Sequence, residues 1–175
     1  MNDKPFTKHW VAFVYLLVAM MLDGGVTHIL SNWTMKPQGT AVPQITLFAL
    51  VLIALFVPRE SWLIIWAVVF GFIFDMYFSG LIGIYTMIFP LITYVVAKSR
   101  PYVPRTWPFV LAVFIIAQTA RMFLDYAVAM VLNATHIGLL DVITQHLAPG
   151  LTLNMVLFAI LYYPCSRLLV KLTRD

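Results

Sequence analysis

Polar residues interrupt this chain at only a few places, and six apolar runs lie between them. The first extends from about Trp10 to Leu30, the second from Ala41 to Val57 and the third from Ser61 to Ser79. The fourth covers Leu81 to Ala97, the fifth Trp107 to Leu132 and the sixth Pro149 to Val170. Each approaches or exceeds the roughly 17–25 residues that a helix needs to cross a bilayer core. Pro58-Arg59-Glu60 ends the second run, and Lys98-Ser99-Arg100-Pro101 ends the fourth. The third and fourth are separated by almost nothing. Ser79-Gly80-Leu81-Ile82-Gly83 has to hold that hairpin, and glycine accepts the positive φ of a tight turn without steric cost. The pattern predicts an all-α fold: a polytopic membrane protein of six transmembrane helices, with residues 1–175 forming a single domain.

Composition strengthens this reading. The chain is 62% hydrophobic and only 10% charged, with a mean hydropathy of +0.93. A soluble domain is roughly a quarter charged, so this chain lacks the residues for an ordinary solvated surface. The apolar runs recur along its whole length, which excludes a lone signal peptide as their explanation. Charge then sets an orientation. With a cytoplasmic N-terminus, the inner segments carry Lys4, Lys8, Arg59, Lys98, Arg100, Arg105, Arg167, Lys171 and Arg174, and the outer loops carry Lys36 alone. That bias places both termini in the cytoplasm. Trp10, Trp62 and Trp107 open their helices as interfacial anchors do. The net charge of +4 then reflects topology and attraction to anionic membrane lipid, with no nucleic-acid partner implied.

Against this background the polar residues inside the runs stand out. An ionised side chain in hydrocarbon costs at least about 3 kcal/mol, so each needs a partner, a proton or water. Counted along their helices at 1.5 Å per residue, Asp23, Asp75 and Asp125 fall in one broad layer in the outer half of the membrane. Arg121 lies one turn from Asp125 on the same face, and Gln118 continues that face. Arg121 with Asp125 is the default pair, and Asp75 or Asp23 can share the guanidinium's five donors. Ala67, Gly71 and Asp75 follow at spacing four, so Asp75 shares a face with small residues that permit close helix approach. Asp75 is therefore expected to point at another helix. If it is protonated and hydrogen-bonded, asparagine should be tolerated in its place. The polar layer reads first as packing that fixes the bundle's register, and second as a path for substrate or protons or a contact for a partner.

Catalytic signatures are missing. There is no H-E-x-x-H, no nucleophile elbow and no glycine-rich phosphate loop. His9, His28, His136 and His146 lack tight metal-ligand spacing, and the single Cys165 excludes a cysteine cluster. Neither an enzyme nor a cofactor is expected. Leu140, Ile143 and Leu147 recur at helical spacing and predict a short helix on the outer surface. Apolar surface for a partner is offered by Phe70, Phe74, Phe78 and Phe89 and by the second run from Leu47 to Val57, although lipid could equally cover it.

Gly71-Phe72-Ile73-Phe74-Asp75, followed by Gly80-Leu81-Ile82-Gly83-Ile84-Tyr85 within six short spans and a basic C-terminal end, resembles the bacterial rod-shape-determining MreD proteins. The resemblance implies a non-enzymatic scaffold of the cell-elongation and peptidoglycan-synthesis machinery in the bacterial plasma membrane. It implies an MreC-like single-span partner, and a wider assembly with MreB filaments, the glycan polymerase RodA and a class B penicillin-binding transpeptidase. The family fold is also similar to substrate-binding S components of energy-coupling-factor vitamin transporters. An outward-facing ligand pocket is therefore the alternative.

Overall fold

A computed structural model of the chain describes residues 9–36, 39–40, 42–57, 62–79, 83–132, 138, 141 and 143–174. Six long helices account for most of them: α1 His9–Thr34, α2 Ile45–Phe56, α3 Leu63–Phe74, α4 Ile84–Ser99, α5 Trp107–Val131 and α6 Ala148–Arg174. Past Phe74, α3 widens into a π-helical turn, Asp75–Ser79. A second such turn, Ile143–Leu147, runs straight into α6. Two short strands, β1 Met35–Lys36 and β2 Gly39–Thr40, pair antiparallel after α1, with Met35 opposite Thr40. The surface helix expected around Leu140 is thus partly absorbed into the approach to α6, and Leu140 itself lies outside the described residues.

The helices differ in length, and length decides what each can do in a bilayer. Among the described residues three helices, α1, α5 and α6, are long and apolar enough to cross a membrane. In contrast, α2 has 12 helical residues, about 18 Å at 1.5 Å each, against a hydrocarbon core of about 30 Å. The second apolar run is therefore shorter as a helix than as a hydrophobic stretch. Every residue of α2 is buried, consistent with a sequence that is apolar on all sides. It stands at the centre, and α1, α3, α4, α5 and α6 all pack against it.

Two consequences follow for the apolar surface. Phe70, Phe74, Phe89 and the whole of Leu47–Val57 are buried, so they do not offer a partner surface. Of that set only Phe78 is exposed. Phe48 instead meets Phe114 and Phe158 at 5.5 and 5.4 Å between ring centroids, tying α2 to α5 and α6. The exposed apolar residues lie elsewhere, for example Val14, Leu91, Ile116 and Ile160.

The tightest pairing joins α3 and α4, and it depends on Gly71. A Cβ there would lie 2.4 Å from the Tyr85 carbonyl oxygen and 2.9 Å from the Thr86 Cα. Backbone, not a movable side chain, occupies that space. With Ala67 fully buried on the same face, the small-residue stripe lets the two helices approach to near contact of their main chains. Gly83 begins α4 at φ 110°, in the left-handed region that favours glycine. Gly80 lies outside the described residues.

Candidate functional site

The chain's buried polar side chains concentrate at the end of the bundle where α1, α3 and α5 finish and α2, α4 and α6 begin. A helix start leaves its first backbone N–H groups without intrahelical acceptors, and in an apolar interior each such group is costly. Side chains from neighbouring helices accept from these amides.

Asp75 serves α4. Its Oδ2 accepts from Gly83 N at 2.9 Å, Thr86 N at 3.0 Å and Thr86 Oγ1 at 2.7 Å. Its Oδ1 accepts from Tyr85 N at 2.8 Å. The side chain is fully buried. Its negative charge faces the positive end of the α4 dipole, which stabilises an anion there. The π-helical turn begins at this residue, where α3 swings its carboxylate under the next helix. Three of the four donors are backbone N–H groups, which cannot reverse to accept. The tolerance expected of asparagine holds on the condition that Asp75 is protonated; in this geometry an amide NH₂ would face at least one of those N–H groups.

Asp23 does the same for α2. Oδ1 accepts from Ile45 N at 2.7 Å and Oδ2 from Thr46 N at 2.8 Å. Asn154, from α6, completes the cap. Its Oδ1 accepts from Gln44 N at 2.8 Å, and its Nδ2 donates to the carbonyls of Val42 and Gly150 at 3.0 and 2.8 Å. At the other end of α2, Arg100 Nη1 donates to the Val57 carbonyl at 3.2 Å, a cation against the negative end of the helix dipole. A short apolar helix is thereby held at both ends by side chains from α1, α6 and the turn after α4.

Asp125 is the third aspartate at intervals of about fifty residues, and it breaks the pattern. It caps no helix among the described residues. Instead its Oδ2 accepts from Arg121 Nη1 at 3.0 Å and from the Tyr85 hydroxyl at 2.8 Å. Arg121 Nη1 also donates to that hydroxyl at 2.9 Å, so the three groups close a triangle between α4 and α5. The Arg121 side chain is 8% exposed and that of Asp125 32%, which leaves Asp125 as the layer's outlet toward the surface.

The structure thus divides what the sequence groups together. Arg121 pairs with Asp125 at the expected spacing of four. The Asp23 and Asp75 carboxylates, offered to the same guanidinium on the sequence, meet backbone amides instead. Gly71 and Gly83 belong to the Asp75 arrangement, one by close packing and one by placing its own N–H on the carboxylate. Tyr85 is what sequence reasoning missed. Its backbone N–H is on Asp75 and its hydroxyl on Arg121 and Asp125, so it couples the two arrangements. A signal existed: a tyrosine in the first turn of an apolar helix must find a partner for its hydroxyl. Several buried atoms of this region, Gln44 Oε1, Thr93 Oγ1, Gln118 Oε1 and Arg121 Nε, have no hydrogen-bond partner. Among the described residues no three His, Cys, Asp or Glu side chains converge as a metal ion requires.

In comparison with known proteins, the family model for rod shape-determining protein MreD matches residues 4–172. No curated protein and no solved structure gives a match.

Proposed function

The chain belongs to the MreD family of rod shape-determining membrane proteins, and on that premise we propose that it is a non-enzymatic scaffold of the cell-elongation machinery. In this reading it lies in the bacterial plasma membrane with six spans and both termini cytoplasmic. It binds an MreC-like single-span protein, and through it joins MreB filaments, RodA and a class B penicillin-binding transpeptidase. The nine inner cations against one outer support the orientation. The short helices α2, α3 and α4 fit a multi-pass bundle because α2 is enclosed by its neighbours and α3 is extended by its π-helical turn.

One observation supports the scaffold reading above the others. The intramembrane carboxylates are engaged in shaping the bundle: two hold helix starts and the third is closed onto Arg121 and Tyr85. A group that works on a substrate needs free reactive capacity in a cleft, and Asp23 and Asp75 have little to give. A rigid bundle with defined helix ends is what a docking platform needs.

Purification of the tagged protein in mild detergent from its own cells tests this. An MreC-like protein should co-purify, and no tightly bound small molecule should appear in the denatured eluate. The alternative, a vitamin-binding S component, would rest on the unpartnered Gln118 Oε1, Thr93 Oγ1 and Arg121 Nε as ligand contacts. Recovery of a stoichiometric metabolite without an MreC-like protein would establish that alternative and end the scaffold reading.

A further inference from the structure

The turn between α4 and α5 concentrates positive charge. Lys98, Arg100 and Arg105 follow one another closely there, and from Met76 to Leu124 the sequence has no Asp or Glu to offset them. The neighbouring helices fix the level of this turn. α5 is a membrane-length span that begins at Trp107. α4 runs antiparallel beside it, since Tyr85 at the start of α4 meets Arg121 and Asp125 far along α5. Residues 98–106 therefore sit at one end of both helices. Arg105 precedes the apolar span by two residues, at most about 7 Å of chain. The headgroup layer adds about 5–8 Å on each side of the hydrocarbon core, so Arg105 lies at the level of phospholipid phosphates.

The turn is held in shape. Pro101, Pro104 and Pro108 each fix φ near about −65°. Val103 N donates to the Arg100 carbonyl at 3.3 Å and closes a tight turn over Arg100–Tyr102. Its three cations are not equivalent. Arg100 is half-buried and tied to the Val57 carbonyl, so it anchors the turn to the bundle. Lys98 is exposed, with its ammonium 5.9 Å from the centre of the Tyr94 ring. Arg105 is exposed and makes no hydrogen bond or ion pair among the described residues, which leaves five donors for a ligand. Arg167 on α6 differs: it stacks over the Tyr163 ring and donates to that hydroxyl.

The surroundings select a class of ligand. Tyr102 and Trp107, 85% and 47% exposed, flank Arg105 with rings that are apolar in body and polar at the tip, as side chains at the headgroup level are. A free anion makes no use of them, whereas a lipid lays its glycerol and upper acyl chain beside Trp107. A zwitterionic lipid brings an ammonium as well as a phosphate, and a segment with three cations and no carboxylate repels it. A lipid of net negative charge brings the phosphate alone. Neighbouring helices lie about 8–10 Å apart, a gap that an arginine and a lysine can close onto one phosphate.

We infer that the α4–α5 turn is a binding site for one anionic phospholipid, its phosphate held between Arg105 and Lys98 and its glycerol end against Trp107. The site requires only that α5 cross the membrane, and it stands whether or not the protein is a scaffold.

Native mass spectrometry of the full-length protein in detergent, titrated with phosphatidylglycerol or with phosphatidylcholine of the same acyl chains, reads the site directly. A cation near a membrane surface contributes a factor of about five toward anionic lipid. Phosphatidylglycerol should therefore bind about tenfold tighter or more. Arg105→Gln and Lys98→Gln should each weaken it about fivefold and leave phosphatidylcholine unchanged. Arg105→Lys keeps the charge and should retain the preference. Arg167→Gln removes a charge of the same sign from α6 and should leave phosphatidylglycerol binding unaltered. All three positions are exposed, so each variant should keep the circular dichroism of the parent. An equal loss in Arg167→Gln would mean a diffuse field and would overturn the site. Equal binding of the two lipids would overturn it as well. Displacement of phosphatidylglycerol by inorganic phosphate at matched ionic strength would make the turn a free-anion site and reject the lipid assignment.

Discussion

Asparagine at position 75 is the sharpest test of how this bundle is held. The substitution changes one oxygen to NH₂ and leaves volume and shape nearly untouched, so any loss reports on hydrogen bonding and charge. The best orientation keeps the carbonyl at the Oδ2 position, where Gly83 N, Thr86 N and Thr86 Oγ1 donate. The NH₂ then faces Tyr85 N, which donates to Oδ1 at 2.8 Å in the parent. One charge-assisted hydrogen bond is lost and a backbone donor is stranded, about 1.5–3 kcal/mol. Removing the anion from the start of α4 adds about 0.3–1 kcal/mol. The expected destabilisation is therefore about 2–4 kcal/mol. The opposite orientation would set three donors against the NH₂ and cost more. Unfolding by SDS in mixed micelles, followed by tryptophan fluorescence, measures it. Thr86→Val should lose less than Asp75→Asn, since it removes a single side-chain bond. A change within about 0.5 kcal/mol for Asp75→Asn, the scale of an ordinary surface substitution, would refute the capping account, because it would mean that these amides have other acceptors.

Other outcomes follow from the same geometry. Gly71→Ala should cost about 3 kcal/mol, at the upper end of overpacking, because backbone of α4 lies 2.4 Å from the new Cβ; a neutral result in the same titration would show a looser α3–α4 contact. Gly83→Ala meets no atom within 4 Å, so only its φ of 110° resists, at about 1–2 kcal/mol, and Gly83→Asn should recover part of that. Arg121→Met should lower folded yield and stability by about 1–3 kcal/mol, less than for a fully buried pair because Asp125 is one-third exposed; adding Asp125→Leu should recover part of the loss. Asn154→Leu should destabilise by about 2–4 kcal/mol, since it strands Gln44 N and the Val42 carbonyl, and circular dichroism should show the helices otherwise intact.

The legible features of the sequence were those with local signatures. Arg121 and Asp125 could be paired because a spacing of four on a helix is a spatial distance. The Ala67, Gly71, Asp75 stripe announced a close approach because small residues at that period have one common use in membranes. Gly83 announced a turn. The aspartates were harder. A carboxylate in an apolar segment demands donors, and a guanidinium is the donor visible in the sequence. The orphaned amides of α2 and α4 were equally available, but they become visible only once helix starts are known to within a residue. Asn154 illustrates the difficulty most clearly, since it bonds to Gln44, 110 residues away.

The sequence by itself determined the solvent of this protein, the number of its apolar segments and the hairpin on which its resemblance to the family is read. These follow from hydrophobicity and from the conformational needs of single residues, neither of which depends on neighbours far along the chain. Tertiary structure decided which apolar surface is interior. Lipid tails are as apolar as leucine, so a helix facing lipid and one facing protein have the same composition, and the burial of α2 and of Phe70, Phe74 and Phe89 could not be read in advance. It also decided what the charges do: Asp23 and Asp75 are satisfied by the starts of other helices, because unpaired backbone amides in a dry interior must be met by whatever side chain the fold brings within reach.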